Sequence, residues 1–166
     1  MTGKKAVVRL LTQQEWGQAS AVVWRVFSQF VAAGYPLEGI QAFRQFVEPE
    51  TLGALARRGK LRLWGCFPDG ALAGVGAMRD GSHISLLFVD GSQQRKGRGS
   101  ALIHAMLRWC CKTGAQQVTV NAAPNAAGFY RRLGFIPQGE EQVSDGIRFT
   151  PMFRSLLEGY ERVGDH

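Results

Sequence analysis

The most constraining feature of the chain is an apolar run that leads directly into a glycine-rich basic loop. Residues 86–90 read LLFVD, which is typical of a buried strand that ends at its acidic residue. Residues 94–100 read QRKGRGS and combine three cations, two glycines and a hydroxyl. An apolar-periodic segment begins at Ala101 and indicates a helix. This order predicts an anion site, because the unpaired N–H groups and the dipole at a helix start favour negative charge.

The spacing of the loop excludes two common nucleotide-binding motifs. A P-loop would end in Gly-Lys-Ser or Gly-Lys-Thr, and a dinucleotide fingerprint would need a third glycine where this chain has Leu102. The loop does fit the pattern Gln/Arg-x-x-Gly-x-Gly/Ala from Gln94 to Gly99. Gly97 and Gly99 would let a phosphate approach the backbone closely.

A second segment, residues 126–135, reads AAGFYRRLGF. With the basic loop, it resembles the GNAT N-acetyltransferase superfamily, in which Ala-x-x-Phe-Tyr-x-x-Leu-Gly-Phe often follows the first pattern. Every fixed position of the second motif is matched between Ala126 and Phe135, and the two motifs stand in the family's order. The resemblance implies an acetyl-CoA-dependent N-acetyltransferase that moves an acetyl group to a primary amine, with acetyl-CoA as co-substrate.

Hydrophobic periodicity predicts alternating strands and helices along the chain. The predicted strands are residues 6–11, 61–67, 71–79, 83–89 and 118–120, with a last strand pair that begins at Phe135 and turns near Asp145. The predicted helices are residues 14–31, 36–47, a short segment that ends at Arg58, 98–113 and 125–133. The resemblance implies an α/β (α+β) fold in which about four helices flank a mixed, mostly antiparallel sheet. The implied order is β-α-α-β-β-β-α-β-α-β-β, with residues 1–166 forming one GNAT-like domain.

The net charge of +7 is concentrated around the basic loop. Residues 91–139 contain no acid, and their seven basic residues are Arg95, Lys96, Arg98, Arg108, Lys112, Arg131 and Arg132. Coenzyme A carries a pyrophosphate and a ribose phosphate, and it explains such a local cluster better than nucleic acid does. A nucleic-acid surface would more often spread its charge over several elements.

Other functional classes are not indicated by the composition. No apolar run is long enough for a membrane span, and we read no signal peptide at the start. Cys66, Cys110 and Cys111 make a poor disulfide framework, which favours free thiols in a reducing, cytoplasmic location. Metal-ligand spacings and a Gly-x-Ser-x-Gly elbow are absent from the sequence, so we expect no metal cofactor.

The resemblance assigns cofactor-binding roles to two groups of residues. At the end of the central strand, the backbone N–H groups of Phe88 and Val89 would contact the acetyl carbonyl and the pantetheine arm. The residues that would hold the pyrophosphate are Gln94, Arg95, Lys96, Gly97, Arg98, Gly99 and Ser100. Many family members also have an asparagine seven residues before the motif tyrosine, where this chain has Ala123. Asn125 or Asn121 could replace it, although both also suit turn or cap positions beside Pro124.

Acetyl transfer needs a polarised carbonyl and a deprotonated amine, and the leaving thiolate benefits from a proton donor. The family's usual acid is the motif tyrosine, here Tyr130, whose alternative role is core packing beside Phe129. Glu38 is the candidate base or amine-binding group, because the family's first helices line the acceptor cleft. A carboxylate in a first helical turn also stabilises the helix by itself. We expect direct transfer in a ternary complex, since no cysteine has an adjacent base in sequence.

Three points stay open at the level of sequence. The chain could be a catalytically idle CoA-binding or sensor module, or, less favoured, a basic nucleic-acid-binding domain. The acceptor, a small molecule or the amine of a peptide or protein, is not readable, and Arg148 is a candidate to face a substrate carboxylate. A homodimer is compatible with these observations.

Overall fold

An eight-stranded sheet lies at the centre of the computed structural model, which describes residues 6–157. The strands are β1 Val7–Leu10, β2 Leu61–Phe67, β3 Gly74–Arg79, β4 His83–Val89, β5 Gln117–Ala122, β6 Ile136–Pro137, β7 Gln142–Ser144 and β8 Ile147–Ser155. Their spatial order is β1-β2-β3-β4-β5-β8-β6, and β7 pairs with β8. All pairs are antiparallel except β4 with β5. The predicted domain of residues 1–166 extends at both ends beyond the described part.

Five α-helices in the described part of the chain cover the sheet. They are α1 Trp16–Phe30, α2 Leu37–Phe46, α3 Pro49–Arg57, α4 Arg98–Lys112 and α5 Ala127–Arg132. The predicted mixed, mostly antiparallel α/β fold is confirmed, with one more helix than the order predicted from the sequence. The helix missing from that order is α3, which was predicted separately as a short helix that ends at Arg58. It begins directly after α2, with Pro49 in its first turn, where the missing N–H costs no hydrogen bond.

Two hydrophobic cores lie on opposite faces of the sheet. The first, here called the α1 core, joins α1 and α3 to the sheet through residues such as Val23, Leu52 and Leu86. The second, here called the α4 core, joins α4 and α5 to the sheet through residues such as Met106 and Tyr130. Each face of β4 therefore contributes to a different core.

A bulge in β4 changes which face its residues occupy. Ile84 pairs with Met78 and Leu86 pairs with Ala77, so Ser85 is an extra residue in the strand. Ile84 packs in the α4 core, whereas Leu86 packs in the α1 core. In a regular strand, residues two apart would share a face. The bulge therefore sets the orientation of the last four residues of β4.

The turn after α5 depends on Gly134. This residue has φ of +90°, and the side chain of Arg154 donates a hydrogen bond to the carbonyl of Leu133 beside it. A Cβ at position 134 would overlap the Arg154 guanidinium. We expect Gly134→Ala to lower the free energy of unfolding by about 2 kcal/mol, because backbone strain adds to the loss of the Arg154 hydrogen bond when the guanidinium moves aside. Urea denaturation of the variant would measure this change.

Gly59 provides a control for the strain alone. It has φ of +71°, and a Cβ there would have no neighbouring atom within 4 Å. Gly59→Ala should therefore cost about 1 kcal/mol. Equal losses in the two variants would contradict the role assigned to the Arg154 contact.

Candidate active site

The central strands β4 and β5 separate towards their carboxyl ends. They pair only over residues 83–84 and 119–120. Beyond this point β4 stays with β3 as far as Val89, and β5 stays with β8 as far as Ala122. At the vertex, Nδ1 of His83 lies 2.8 Å from the hydroxyl oxygen of Thr119. The result is a V-shaped gap in the sheet.

The register of β4 shows which backbone groups face this gap. Asp90 N donates to Ala73 O of the neighbouring segment (2.8 Å), so the backbone N–H of Asp90 points towards β3. Because N–H groups alternate between the two edges of a strand, Leu87 and Val89 direct theirs to the open edge. The N–H of Phe88 points towards β3. This corrects the prediction that both Phe88 and Val89 offer amides: the second donor at the open edge is Leu87.

The loop between β4 and α4 is held by its own side chains. Gln94 Nε2 donates to Val89 O (2.9 Å), and Arg98 Nε donates to Gln93 Oε1 (3.3 Å). Arg95 has φ of +63° and Gly97 has φ of +78°, which is the left-handed conformation that lets successive amides point to one side. A Cβ built on Gly97 would meet no atom within 4 Å. The space in front of this residue is therefore open.

The start of α4 leaves backbone donors available. Gly97 is the N-cap residue, and the first helical bond runs from Ala101 N to Gly97 O (3.0 Å). The N–H groups of Arg98, Gly99 and Ser100 precede that bond and belong to the unpaired first turn. Exposed Arg95 and Lys96 stand beside it, and Arg98 is half-buried. This combination of amides, helix dipole and cations suits a phosphate.

Helix α1 braces the loop through two contacts that the sequence did not reveal. Arg25 makes a bidentate pair with Asp90, with Nε–Oδ1 at 3.1 Å and Nη2–Oδ2 at 2.7 Å. A Cβ on Gly91 would lie 3.0 Å from Cζ of Phe30. Arg25 and Asp90 are far apart in the chain and belong to no local motif, so only the packed fold brings them together.

Tyr130 is a buried residue of α5. Its ring packs edge-on against Phe129 at 5.1 Å and Phe135 at 5.4 Å between centroids. Within residues 6–157, its hydroxyl takes part in no hydrogen bond, and this oxygen is not one of the fully enclosed unpaired atoms. Burial raises the pKa of this phenol well above its usual range. Cζ of Phe129 would be 3.4 Å from a Cβ on Gly99, so α5 packs against the first turn of α4.

Two adjoining clefts lie in front of the gap. The first, here called the α5-side cleft, has a volume of about 400 Å³ and is lined by Phe30, Val31, Gly34, Tyr35, Ala123, Pro124, Asn125, Gly146, Ile147 and Arg148. The second, here called the α2-side cleft, is a more open space of about 830 Å³ lined by Tyr35, Pro36, Glu38, Gly39, Ala42, Phe43, Asp145, Gly146 and Ile147. Tyr35 forms part of both walls, and burial raises its pKa.

The remaining predicted residues lie around these clefts. Glu38 is exposed in the first turn of α2 and borders the α2-side cleft. Asn125 borders the α5-side cleft two residues before α5 begins, whereas Ala126 is the N-cap residue. Asn121 lies within β5, opposite Pro151 of β8. Phe88 contributes its ring, which packs 5.7 Å from Phe43 of the α2-side cleft.

Three further properties of the described residues concern metal ligands, membrane helices and cysteines. Within residues 6–157, no group of three His, Cys, Asp or Glu side chains is arranged to hold a metal ion. No helix in this part of the chain is long and apolar enough to cross a membrane. Burial raises the pKa of Cys66 and of Cys110, the latter to about 11, so Cys110 is a protonated thiol at neutral pH.

Solved structures of acetyltransferases share this fold. A GCN5-related N-acetyltransferase structure from Rhodopseudomonas palustris, also described as an aminotransferase, class-II, has a TM-score of 0.78 at 22% identity and covers 94% of this chain and 99% of its own. PaiA N-acetyltransferase from Thermoplasma acidophilum, solved with coenzyme A, has a TM-score of 0.74 at 18% identity. The match covers 92% of this chain and 99% of that protein. Ard1 from Thermoplasma volcanium has a TM-score of 0.66 at 20% identity, and the match covers 92% of this chain and 99% of that protein.

The fold is thus shared with solved acetyltransferases. A family model described as an acetyltransferase (GNAT) domain matches residues 31–156. The chain belongs to the GNAT family, as the two sequence motifs predicted. Among curated proteins, sequence comparison finds no match.

Proposed function

We propose that the protein is an acetyl-CoA-dependent N-acetyltransferase that modifies a primary amine by direct transfer in a ternary complex. The observation that carries the proposal is the V-shaped gap between β4 and β5, with the open first turn of α4 beside it. One element offers backbone amides for a thioester carbonyl, and the other offers amides and cations for phosphates. Coenzyme A joins these two chemical groups in one molecule.

The residues present fit this co-substrate. Leu87 and Val89 would donate to the pantetheine arm and the acetyl carbonyl from the open edge of β4. Asn125 would add a polar group from the wall of the α5-side cleft. The pyrophosphate would be held by the loop residues Gln94, Arg95, Lys96, Gly97, Arg98, Gly99 and Ser100. The empty space in front of Gly97 supports this placement, because a side chain there would obstruct the ligand.

Acid and base roles are assigned from position. The amine nitrogen forms a bond to the thioester carbon while the carbon–sulfur bond breaks, so one proton must leave nitrogen and one must reach sulfur. Tyr130 would hold the proton for sulfur, because α5 packs against the cofactor loop. Glu38 would accept the proton from nitrogen or bind the amine. A covalent acetyl intermediate on Cys66 or Cys110 is disfavoured, because both are buried thiols with raised pKa values.

The proposal is tested by a screen of amine acceptors that measures release of free CoA thiol from acetyl-CoA. Calorimetry with CoA alone runs in parallel. Binding together with acceptor-dependent thiol release supports the proposal. Tight binding without turnover on any acceptor class would favour the idle CoA-binding module. Oligonucleotide binding that is salt-dependent and insensitive to CoA would favour the nucleic-acid-binding domain.

Replacement of Glu38 by glutamine should affect the acceptor and not the cofactor. We expect kcat/KM for the acceptor to fall by roughly tenfold or more, because a base or an amine-binding charge is lost while the side-chain shape is kept. The dissociation constant of CoA should not change. Steady-state kinetics and calorimetry on the same variant would measure both quantities.

Glu50→Gln is the matched control for Glu38→Gln. Glu50 is likewise an exposed carboxylate in the first turn of a helix, α3, but it does not border either cleft. If both variants lost activity equally, or neither lost any, Glu38 would be only a charge that stabilises a helix end.

A further inference from the structure

The two clefts in front of the sheet gap carry charges of opposite sign. Arg148 is the charged residue on the wall of the α5-side cleft. Glu38 and Asp145 are the charged residues on the wall of the α2-side cleft. Tyr35, Gly146 and Ile147 line both clefts, so the two clefts adjoin and are together called the groove here. A molecule that lies along this groove meets a cation at one end and two carboxylates at the other.

The hairpin between β7 and β8 positions two of these charged residues, Asp145 and Arg148. Asp145 and Gly146 form its tight turn, with φ of +52° and +80°. A Cβ on Gly146 would lie 3.2 Å from Cγ of Pro36, and Cδ1 of Ile147 would lie 3.4 Å from a Cβ on Gly39. The hairpin therefore packs against the start of α2. Arg148 follows directly after this contact, and its backbone position is fixed by pairing with β7.

The guanidinium of Arg148 is available to a ligand. Among residues 6–157 it forms an ion pair with Glu141, at 3.8 Å between Nη1 and Oε2. The two side chains are 70% and 46% exposed, and an exposed ion pair at this distance is weak because water screens it. A guanidinium binds a carboxylate through two parallel hydrogen bonds, which makes it selective for that planar group. A ligand carboxylate would therefore compete well with Glu141.

The polarity of the groove also gives the acceptor an orientation. The α2-side cleft includes Phe43, whose ring packs against Phe88 at the end of β4. An ammonium group drawn to Glu38 and Asp145 would thus lie near the end of the strand where acetyl transfer is proposed to occur. The rest of the molecule would extend past Tyr35 towards Arg148.

We propose that the acceptor is a small amino-acid-like molecule, a primary amine that also carries a carboxylate, and that Arg148 binds this carboxylate. The inference rests on the proposed acetyltransferase function and narrows its substrate. The α5-side cleft has a volume of about 400 Å³, which is in the range of small-molecule sites, and we assign its Arg148 side to the acceptor and its Asn125 side to the co-substrate. Arg148 is then a specificity-determining residue, and the Glu38–Asp145 end orients the amine.

The test compares matched acceptor pairs that differ only in the carboxylate. Free amino acids and their carboxamides, such as L-phenylalanine with L-phenylalaninamide and 5-aminopentanoate with 5-aminopentanamide, are titrated into the enzyme saturated with CoA. For at least one pair, the free acid should bind about tenfold more tightly or better, which is about 1.4 kcal/mol. The acid-to-amide ratio is then compared between enzyme variants, so that differences in amine basicity cancel.

The variants have opposite expected effects. Arg148→Gln should remove most of the preference for the acid over its amide. Arg148→Lys should restore this preference in part, because the charge returns without the planar guanidinium. Glu141→Gln should raise the affinity for the acid, because a competitor for the guanidinium is removed. Lys112→Gln is the control. It removes a cation from the last turn of α4 and should leave the ratio of acid affinity to amide affinity unchanged.

The outcomes separate this inference from the proposed function. If the wild-type protein does not bind CoA, the proposed function fails. If CoA binds normally but no acid is preferred over its amide, or the preference is the same in Arg148→Gln, the carboxylate inference is overturned while the proposed function stands. An acid preference that is lost in Arg148→Gln and increased in Glu141→Gln supports it.

Discussion

Replacing Gly97 with valine is expected to weaken CoA binding by well over tenfold, which is more than about 1.4 kcal/mol. The residue caps α4 with φ of +78°, and the position of its absent Cβ faces open space. A branched side chain would occupy the space in which a pyrophosphate reaches the unpaired amides of the first helical turn. Calorimetric titration of CoA into the folded variant measures the effect.

Valine at this position also strains the backbone, so the test needs a control with equal strain. Gly114 follows α4 with φ of +85°, and a Cβ there would likewise meet no atom within 4 Å. Gly114→Val and Gly97→Val should lose similar stability, about 1–3 kcal/mol each. Only Gly97→Val should lose CoA affinity. Unchanged affinity in the folded Gly97→Val protein, or an equal loss in both variants, would refute the placement of the phosphate site.

Replacing Tyr130 with phenylalanine should lower turnover by roughly 100-fold if chemistry limits the rate. An ordinary phenol titrates near 10 and a free thiol near 8.5, so proton transfer to a bare thiolate is already uphill. Burial raises the Tyr130 pKa further, so the phenol would pass its proton to sulfur only as charge develops there in the transition state. The phenol also stays protonated throughout neutral pH, so its loss should lower turnover without moving the pH profile there.

Stability measurements on the same variant separate an acid from a core aromatic. The hydroxyl makes no hydrogen bond within the described residues, so Tyr130→Phe should leave the melting temperature nearly unchanged. A structural hydroxyl would show the reverse pattern, a loss of about 1 kcal/mol with activity retained. Tyr35→Phe removes the phenol that borders both clefts and should reduce turnover much less. Full turnover in Tyr130→Phe would remove this residue from the mechanism.

Features set by neighbouring residues were predictable from the sequence. The bounds predicted for β4 agree with the structure, and the helix predicted at 98–113 is observed as α4, Arg98–Lys112. Both follow from local patterns, an uninterrupted apolar run and a glycine-capped amphipathic segment. The turn at Asp145 was visible for the same reason, because Asp-Gly between two strands favours a hairpin.

Features that depend on a distant partner were not predictable. The extra residue in β4 exists only relative to the register of β3, and it decides that Leu87, rather than Phe88, shares the open edge with Val89. The Arg25–Asp90 pair joins α1 to the end of β4, and neither residue belongs to a motif. The joined clefts also arise only when α2, β8 and the loop after β5 meet, so the polarity along the groove could not be read from the chain.

Substitution and deletion of Ser85 should have different consequences, because this residue forms the bulge in β4. The serine side chain itself makes only a long contact, with its hydroxyl 3.5 Å from Ala77 O, so many substitutions should be tolerated there. Deleting Ser85 would instead shift the rest of β4 by one residue, so that the N–H groups now at the open edge would point towards β3. In an alignment of relatives, a gap at this position would therefore carry more functional information than any amino-acid difference.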